Sequence, residues 1–222
     1  MPLKRLSALF LAVGLLLAVP GAAVRPAAYR LGRADDPQIP RILQAFTDVQ
    51  YDAWYAESLA FVYQRSLLEG TSASTFSPQL PMSRAMGVTA LYRHAGAPEL
   101  AAVQAYQDVS PDDWYGPAAA WARESGVAFG SPETYFAPEL PLSREALTTL
   151  LWRYAGSPAP AAPLAGFTDQ DQLSPWALDA VTWAVEIGLL TGDTPLTLSP
   201  ARNITRAEAA VLLTRFCQQV IA

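Results

Sequence analysis

One short motif of this chain returns twice, and its return constrains the fold more than any local propensity does. Phe46-Thr47-Asp48-Val49 recurs as Tyr106-Gln107-Asp108-Val109 and again as Phe167-Thr168-Asp169-Gln170. A tryptophan follows each aspartate (Trp54, Trp114, Trp176), and sixteen residues after each tryptophan stands a glycine (Gly70, Gly130, Gly192). Eight residues later comes a proline (Pro78, Pro138, Pro200), and six beyond it an arginine (Arg84, Arg144, Arg206). Every arginine follows a hydroxyl residue: Ser83, Ser143 and Thr205. Landmarks held in register three times define a repeat, and a unit this small cannot bury its own apolar face. The copies must therefore pack on one another.

Each copy reads as helix, loop, helix. After the tryptophan, one stripe runs Tyr55, Leu59, Val62, Ser66 in copy one. It becomes Tyr115, Ala119, Ala122, Gly126 in copy two and Ala177, Val181, Ala184, Gly188 in copy three. That spacing is one face of a helix. Gly70, Gly130 and Gly192 stand past its end, where a left-handed cap is expected. The second helix is expected to open at the hydroxyl residue. Thr205-Arg206-Ala207-Glu208 has the form of a capping box. Copy two keeps Ser143 but moves the acid to Glu145, and copy one has Met86 and no acid. Arg93, Arg153 and Arg215 near the helix ends suit the dipole.

The organisation that follows is a leader over 1–23, a linker over 24–45, and repeats over 46–96, 106–156 and 167–218. Lys4 and Arg5 precede an apolar run from Leu6 to Val19, and small residues at Gly21-Ala22-Ala23 offer a cleavage site. The run falls short of the roughly 20 residues that span a bilayer. No integral membrane span is expected once the leader is removed. Formal net charge is −5, against a nucleic-acid partner, which asks for a basic surface. Cys217 and His94 are single of their kind, which excludes an internal disulfide and leaves little for a metal. No cofactor is called for.

The landmarks together, from Phe46-Thr47-Asp48-Val49 through Trp54, Gly70 and Phe76-Ser77-Pro78 to Thr205-Arg206-Ala207-Glu208, resemble the S-layer homology (SLH) repeat. The resemblance covers residues 46 to about 218. It implies an all-α fold in which three repeats pack as a pseudo-threefold trimer, one helix of each in a central bundle and the rest in three prongs. It also implies non-covalent binding of a secondary cell-wall polymer, often through a pyruvylated amino sugar, in grooves between repeats, and hence a secreted protein at the cell wall or surface. Carried over residue by residue, the groove elements are Ser83-Arg84, Ser143-Arg144 and Thr205-Arg206. Gly70, Gly130, Gly192 and the three tryptophans serve as walls. Copy one departs at Met86 and Gly87, and copy two at Glu145-Ala146.

An independent argument bears on the arginines. A cation in the first turn of a helix faces the positive end of the dipole and asks for an anion. A helix start with a guanidinium is a cradle for carboxylate or phosphate. The alternative is an internal salt bridge to Asp48, Asp108 or Asp169. On the ligand reading, alanine at Arg84, Arg144 and Arg206 weakens binding and leaves the helices intact. For Trp54, Trp114 and Trp176, burial in the core is the ordinary expectation and sugar stacking the other. The aspartates suit turn capping, and His94, aligned with Tyr154 and Phe216, suits packing. No enzyme is expected: a triad would need His94, and sites made three times over suit binding. Two other functions stay open, a structural surface-layer protein acting by self-association and a scaffold for an exported enzyme. Export is checked directly. The envelope-borne protein is expected to begin near Val24, and amino-terminal sequencing that finds Met1 retained contradicts it.

Overall fold

The computed structural model describes residues 38–100, 104–130 and 132–220. The leader, and all of the linker before residue 38, lie outside the described residues. Among the described residues there are seven α-helices and no strand. The repeats supply six of them: α2 (Ala56–Gln64) and α3 (Arg84–His94), α4 (Gly116–Glu124) and α5 (Arg144–Tyr154), α6 (Leu178–Glu186) and α7 (Arg206–Gln219). The seventh, α1 (Gln38–Leu43), stands in the linker, where no periodicity announces it. Its Pro40 falls in the first turn, where an amide has no intrahelical partner, and Leu43 is buried against the core beside α2.

Each second helix is capped as its sequence indicates. Ser83, Ser143 and Thr205 accept from the amides of Met86, Ala146 and Glu208, and Thr205 N donates in turn to the Glu208 carboxylate at 2.9 Å. Two further amides of each helix start find carbonyls in a different copy. Arg84 and Ala85 donate to Leu140 and Pro138, Arg144 and Glu145 to Arg202 and Pro200, and Arg206 and Ala207 to Leu80 and Pro78. Copy one thus leans on copy two, copy two on copy three, and copy three on copy one.

At the centre the cycle closes on itself. Met82 N donates to Ile204 O, Ile204 N to Leu142 O, and Leu142 N to Met82 O, at 2.8–2.9 Å. The three side chains are fully buried together. The first helices follow the same rotation. Each packs on the second helix of the preceding copy: α4 on α3, α6 on α5, and α2 on α7. The second helices form the middle. Most of α5 and α7 is buried on several sides, as interior helices require. Gly87 belongs to this packing, since a Cβ there would sit 2.6 Å from Leu142 Cδ1. At the other end of the bundle His94 Nδ1 meets Tyr154 Oη at 2.9 Å, and Tyr154 packs on Phe216, so the three aligned positions do gather.

One expectation is corrected. The left-handed residues after the first helices are Ser66, Gly126 and Gly188, which the periodicity had placed on the helix stripe. Gly70, Gly130 and Gly192 do not have positive φ. They are glycines because a Cβ at each would lie 2.2–2.6 Å from a loop carbonyl (Ser72, Tyr135 and Thr194). A close approach, and not a helix cap, selects them.

The cyclic arrangement makes each copy a structural requirement of the others. A chain reduced to residues 97–222 loses the Leu80 and Pro78 carbonyls that α7 needs, together with α2 beneath it. It is expected not to melt as one cooperative transition at the temperature of the full chain. Calorimetry showing an undiminished single transition contradicts this reading.

Candidate functional site

The arginine that opens each second helix reaches across to the next copy. Arg84 donates from Nε to Phe136 O at 2.8 Å and from Nη2 to Phe129 O at 3.0 Å. Arg144 does the same to Leu198 O and Thr191 O, at 2.9 and 2.7 Å. Arg206 holds Phe76 O at 2.9 Å and Glu69 O. Two of these guanidiniums also stand over the ring of the residue they grip, Phe136 and Phe76. Burial pushes all three arginines below their usual range, Arg206 to about 10. A planar fork with several donors suits two carbonyls on one loop, which an ammonium cannot match.

The repeated aspartates meet the same loops from the other side. Asp48 accepts from the amides of Phe76 and Ser77, Asp108 from Phe136 and Ala137, Asp169 from Leu198 and Ser199. Ser77, Ala137 and Ser199 each have positive φ before a proline, a conformation that costs energy unless held. For Asp169 burial acts to raise the carboxyl, yet the backbone amides of Leu198, Ser199 and Asp169 itself prevail and it lies below the usual carboxylate range. The loop between the helices is thus pinned by an aspartate of its own copy and an arginine of the copy before.

This geometry places each candidate residue. The hydroxyls of Ser83, Ser143 and Thr205 cap their own helices. The tryptophans are not core: Trp54, Trp114 and Trp176 are 66%, 59% and 53% exposed. Trp54 and Trp114 are braced edge-on by Tyr55 and Tyr115, at 5.4 and 5.1 Å. Two grooves between copies join these elements. In the first, Trp114 faces Gly70, Arg206, Met86, Thr89 and Arg93. In the second, Trp54 faces Gly192, Arg144, Asp193, Glu208 and Arg215. Each groove therefore draws on all three copies. In copy two, Arg84 reaches the carbonyl beside Gly130, with Arg153 over the Phe129 ring at 5.1 Å.

Sequence reasoning missed part of this lining. Arg93, read only as a helix-end charge, pairs with Glu69 at 3.1 Å. The internal salt bridge suspected for the arginines exists at Arg144 alone among the described residues, and its acid is Asp193, at 3.5 Å. Asp193 also binds Arg202, which is shared with Glu208. The available signal was Asp193 itself, placed after Gly192 where copy one has Thr71.

Comparison with known proteins agrees with the geometry. The model of the S-layer homology domain matches residues 45–85, 105–148 and 166–210, more than half of the chain, and the chain belongs to this family. An endoglucanase of Bacillus sp. (strain KSM-635) is 27% identical over 79% of this chain and 19% of its own length. An S-layer protein of Bacillus thuringiensis subsp. finitimus is 25% identical over 79% of this chain and 22% of its own. The surface-layer 125 kDa protein of Lysinibacillus sphaericus is 28% identical over 75% and 14%. The chain thus spans between 14% and 22% of the length of these relatives. The family and the surface-layer relatives place the protein at the cell wall or cell surface and support anchoring or surface-layer association. The match to the enzyme covers 19% of that protein's length and shows no catalytic role for this chain. Among the described residues no helix is long and apolar enough to cross a membrane.

The arginine contacts carry a stability cost that the ligand reading alone did not include. Arg206→Ala removes the donors to the buried Phe76 carbonyl and the part-buried Glu69 carbonyl and is expected to cost about 3 kcal/mol, since hydrogen bonds to charged groups contribute roughly 1.5–3 kcal/mol each. Arg206→Lys is expected to retain part of this. Denaturant melts of the two variants beside the parent check it.

Proposed function

We propose that this protein attaches non-covalently to the bacterial cell wall by holding an acidic sugar unit of a secondary cell-wall polymer in the grooves between its repeats. The observation that carries the proposal is the exposure of the three tryptophans, two of them braced by tyrosines at the mouth of a groove that contains a buried arginine. An aromatic ring left in water offers an apolar platform for a sugar face. A guanidinium beside it supplies the charge that selects an acidic unit. A pyruvylated amino sugar, with one carboxylate on an otherwise neutral ring, meets both requirements. The leader over 1–23 would deliver the chain to that polymer.

Several weak grooves on one repeating polymer reinforce each other, so attachment can be firm although each site is shallow. Exposed tryptophans also allow a clean test, because their removal costs the fold little. Purified walls are expected to retain the protein, and walls stripped of secondary polymer to release it. The triple variant Trp54→Ala, Trp114→Ala, Trp176→Ala is expected to keep its melting temperature and lose at least about tenfold in wall affinity, about 1.4 kcal/mol. Equal retention on stripped walls would overturn the proposal, and concentration-dependent self-association without wall binding would favour a structural surface-layer role.

A further inference from the structure

The grooves are equivalent in sequence position and unlike in chemistry. Copy three fills its own. Asp193 lies 3.5 Å from an Arg144 nitrogen, and Arg202 binds both Asp193 and Glu208, so the arginine that would face an incoming anion already has one. The space left there is about 200 Å³. Copy one has Thr71 and Met86 at these two positions. Its groove encloses about 370 Å³, within the ~300–1,000 Å³ of small-molecule sites, whereas that of copy three falls below it.

Two groups in the copy-one groove are weakly partnered or lack a partner. Arg206 is 3% exposed, and its remaining nitrogen meets only the thioether of Met86, at 3.6 Å. Among the described residues it has no ion-pair partner. Asp48, the acid whose charge it senses, has both oxygens on the amides of Phe76 and Ser77. The second group is Thr89 Oγ1, which is buried and has no hydrogen-bond partner, on a residue that lines the same groove. Its counterpart Thr149 bonds the Glu145 carbonyl at 2.8 Å, and the copy-three counterpart is Val211. A buried hydroxyl without a partner is costly, and native structures keep one where something else completes it.

Resting on the wall-saccharide reading above, we propose that the groove of copy one, between Arg206 and Trp114, is the principal seat of the anionic sugar and that Asp193 closes the copy-three groove to it. The anion displaces the Met86 thioether from Arg206 Nη1, a sugar oxygen reaches the Thr89 hydroxyl, and the ring lies on Trp114. Copy two retains Arg84 but lacks the free hydroxyl.

Trp114 and Trp54 report the copy-one and copy-three grooves separately. The exported chain, labelled with nitrogen-15, is titrated with saccharide fragments released from purified secondary wall polymer, with N-acetylglucosamine as the neutral control. The Trp114 indole signal is expected to move at the lowest concentrations, and Trp54 to stay in place. Thr89→Val, which removes the hydroxyl and keeps the shape, is expected to fold at least as well and to bind roughly three- to tenfold more weakly, the range of one hydrogen bond. Asp193→Thr, which installs the copy-one residue, is expected to bring Trp54 into the titration. The assignment is overturned if Trp54 or Trp176 moves first in the parent, or if Thr89→Val binds as the parent does. No binding of the fragments by any signal overturns the wall-saccharide reading as well, which separates the two failures.

Discussion

Three backbone amides at the centre of this protein each donate to a carbonyl of another repeat, and the architecture follows from that closed triangle. Met82, Leu142 and Ile204 form it. Because each belongs to the residue pair just before a second helix, closing the triangle sets the three helix starts side by side. It also brings the carbonyls of one copy under the orphan amides of another. Helix starts ordinarily need side-chain caps or water. Here half of that requirement is met by a neighbour, and a buried helix start becomes tolerable only while the neighbour is folded. An array of independent units would show no such debt, and additive nearest-neighbour stacking gives way to a ring.

Charge is handled within the same frame. Desolvating a guanidinium is expensive, and an isolated ion pair in the interior often fails to repay it. The repeats avoid the difficulty by surrounding each arginine with carbonyl oxygens, which are fixed dipoles already committed to the loop. A carbonyl lowers the cost of the cation without cancelling its charge. Arg144 alone of the three has an ion-pair partner among the described residues, Asp193. A structural contact and an anion-attracting field are two properties of one side chain, so mutating the arginine tests both together.

Much of this was legible in the chain. The repeat period, the helix order, the hydroxyl caps and the role of the aspartates in turns all rest on local patterns, and local patterns survive in a single sequence. What could not be read was direction across copies. Nothing in the spacing of Arg206 indicates that it grips Glu69 and Phe76, residues that lie more than a hundred positions earlier. The glycines illustrate a second limit. Gly70 and Gly126 both follow a helix, and only the close approach of a carbonyl to the first, and the positive φ of the second, separate their reasons. The tryptophans mark a third, since an aromatic residue at a helix start is core or surface according to a neighbour that belongs to another repeat. α1 was missed because six residues around a proline carry no period at all.

The ring has three junctions of unequal kind. Copies one and two, and copies two and three, are joined by peptide as well as by packing. Copies three and one meet without a peptide link, through α7 on α2, the Met82–Ile204 bond, the Leu80 and Pro78 carbonyls, and the grip of Arg206. A mechanical load drawn along the chain from α1 to α7 therefore falls on this one seam, which no covalent link backs. The copy-one groove lies across the seam, with Arg206 on one side and Gly70 on the other. A saccharide seated there would act as a rivet at the weakest joint, so that for a surface protein under tension, holding the wall and holding itself together would be the same event.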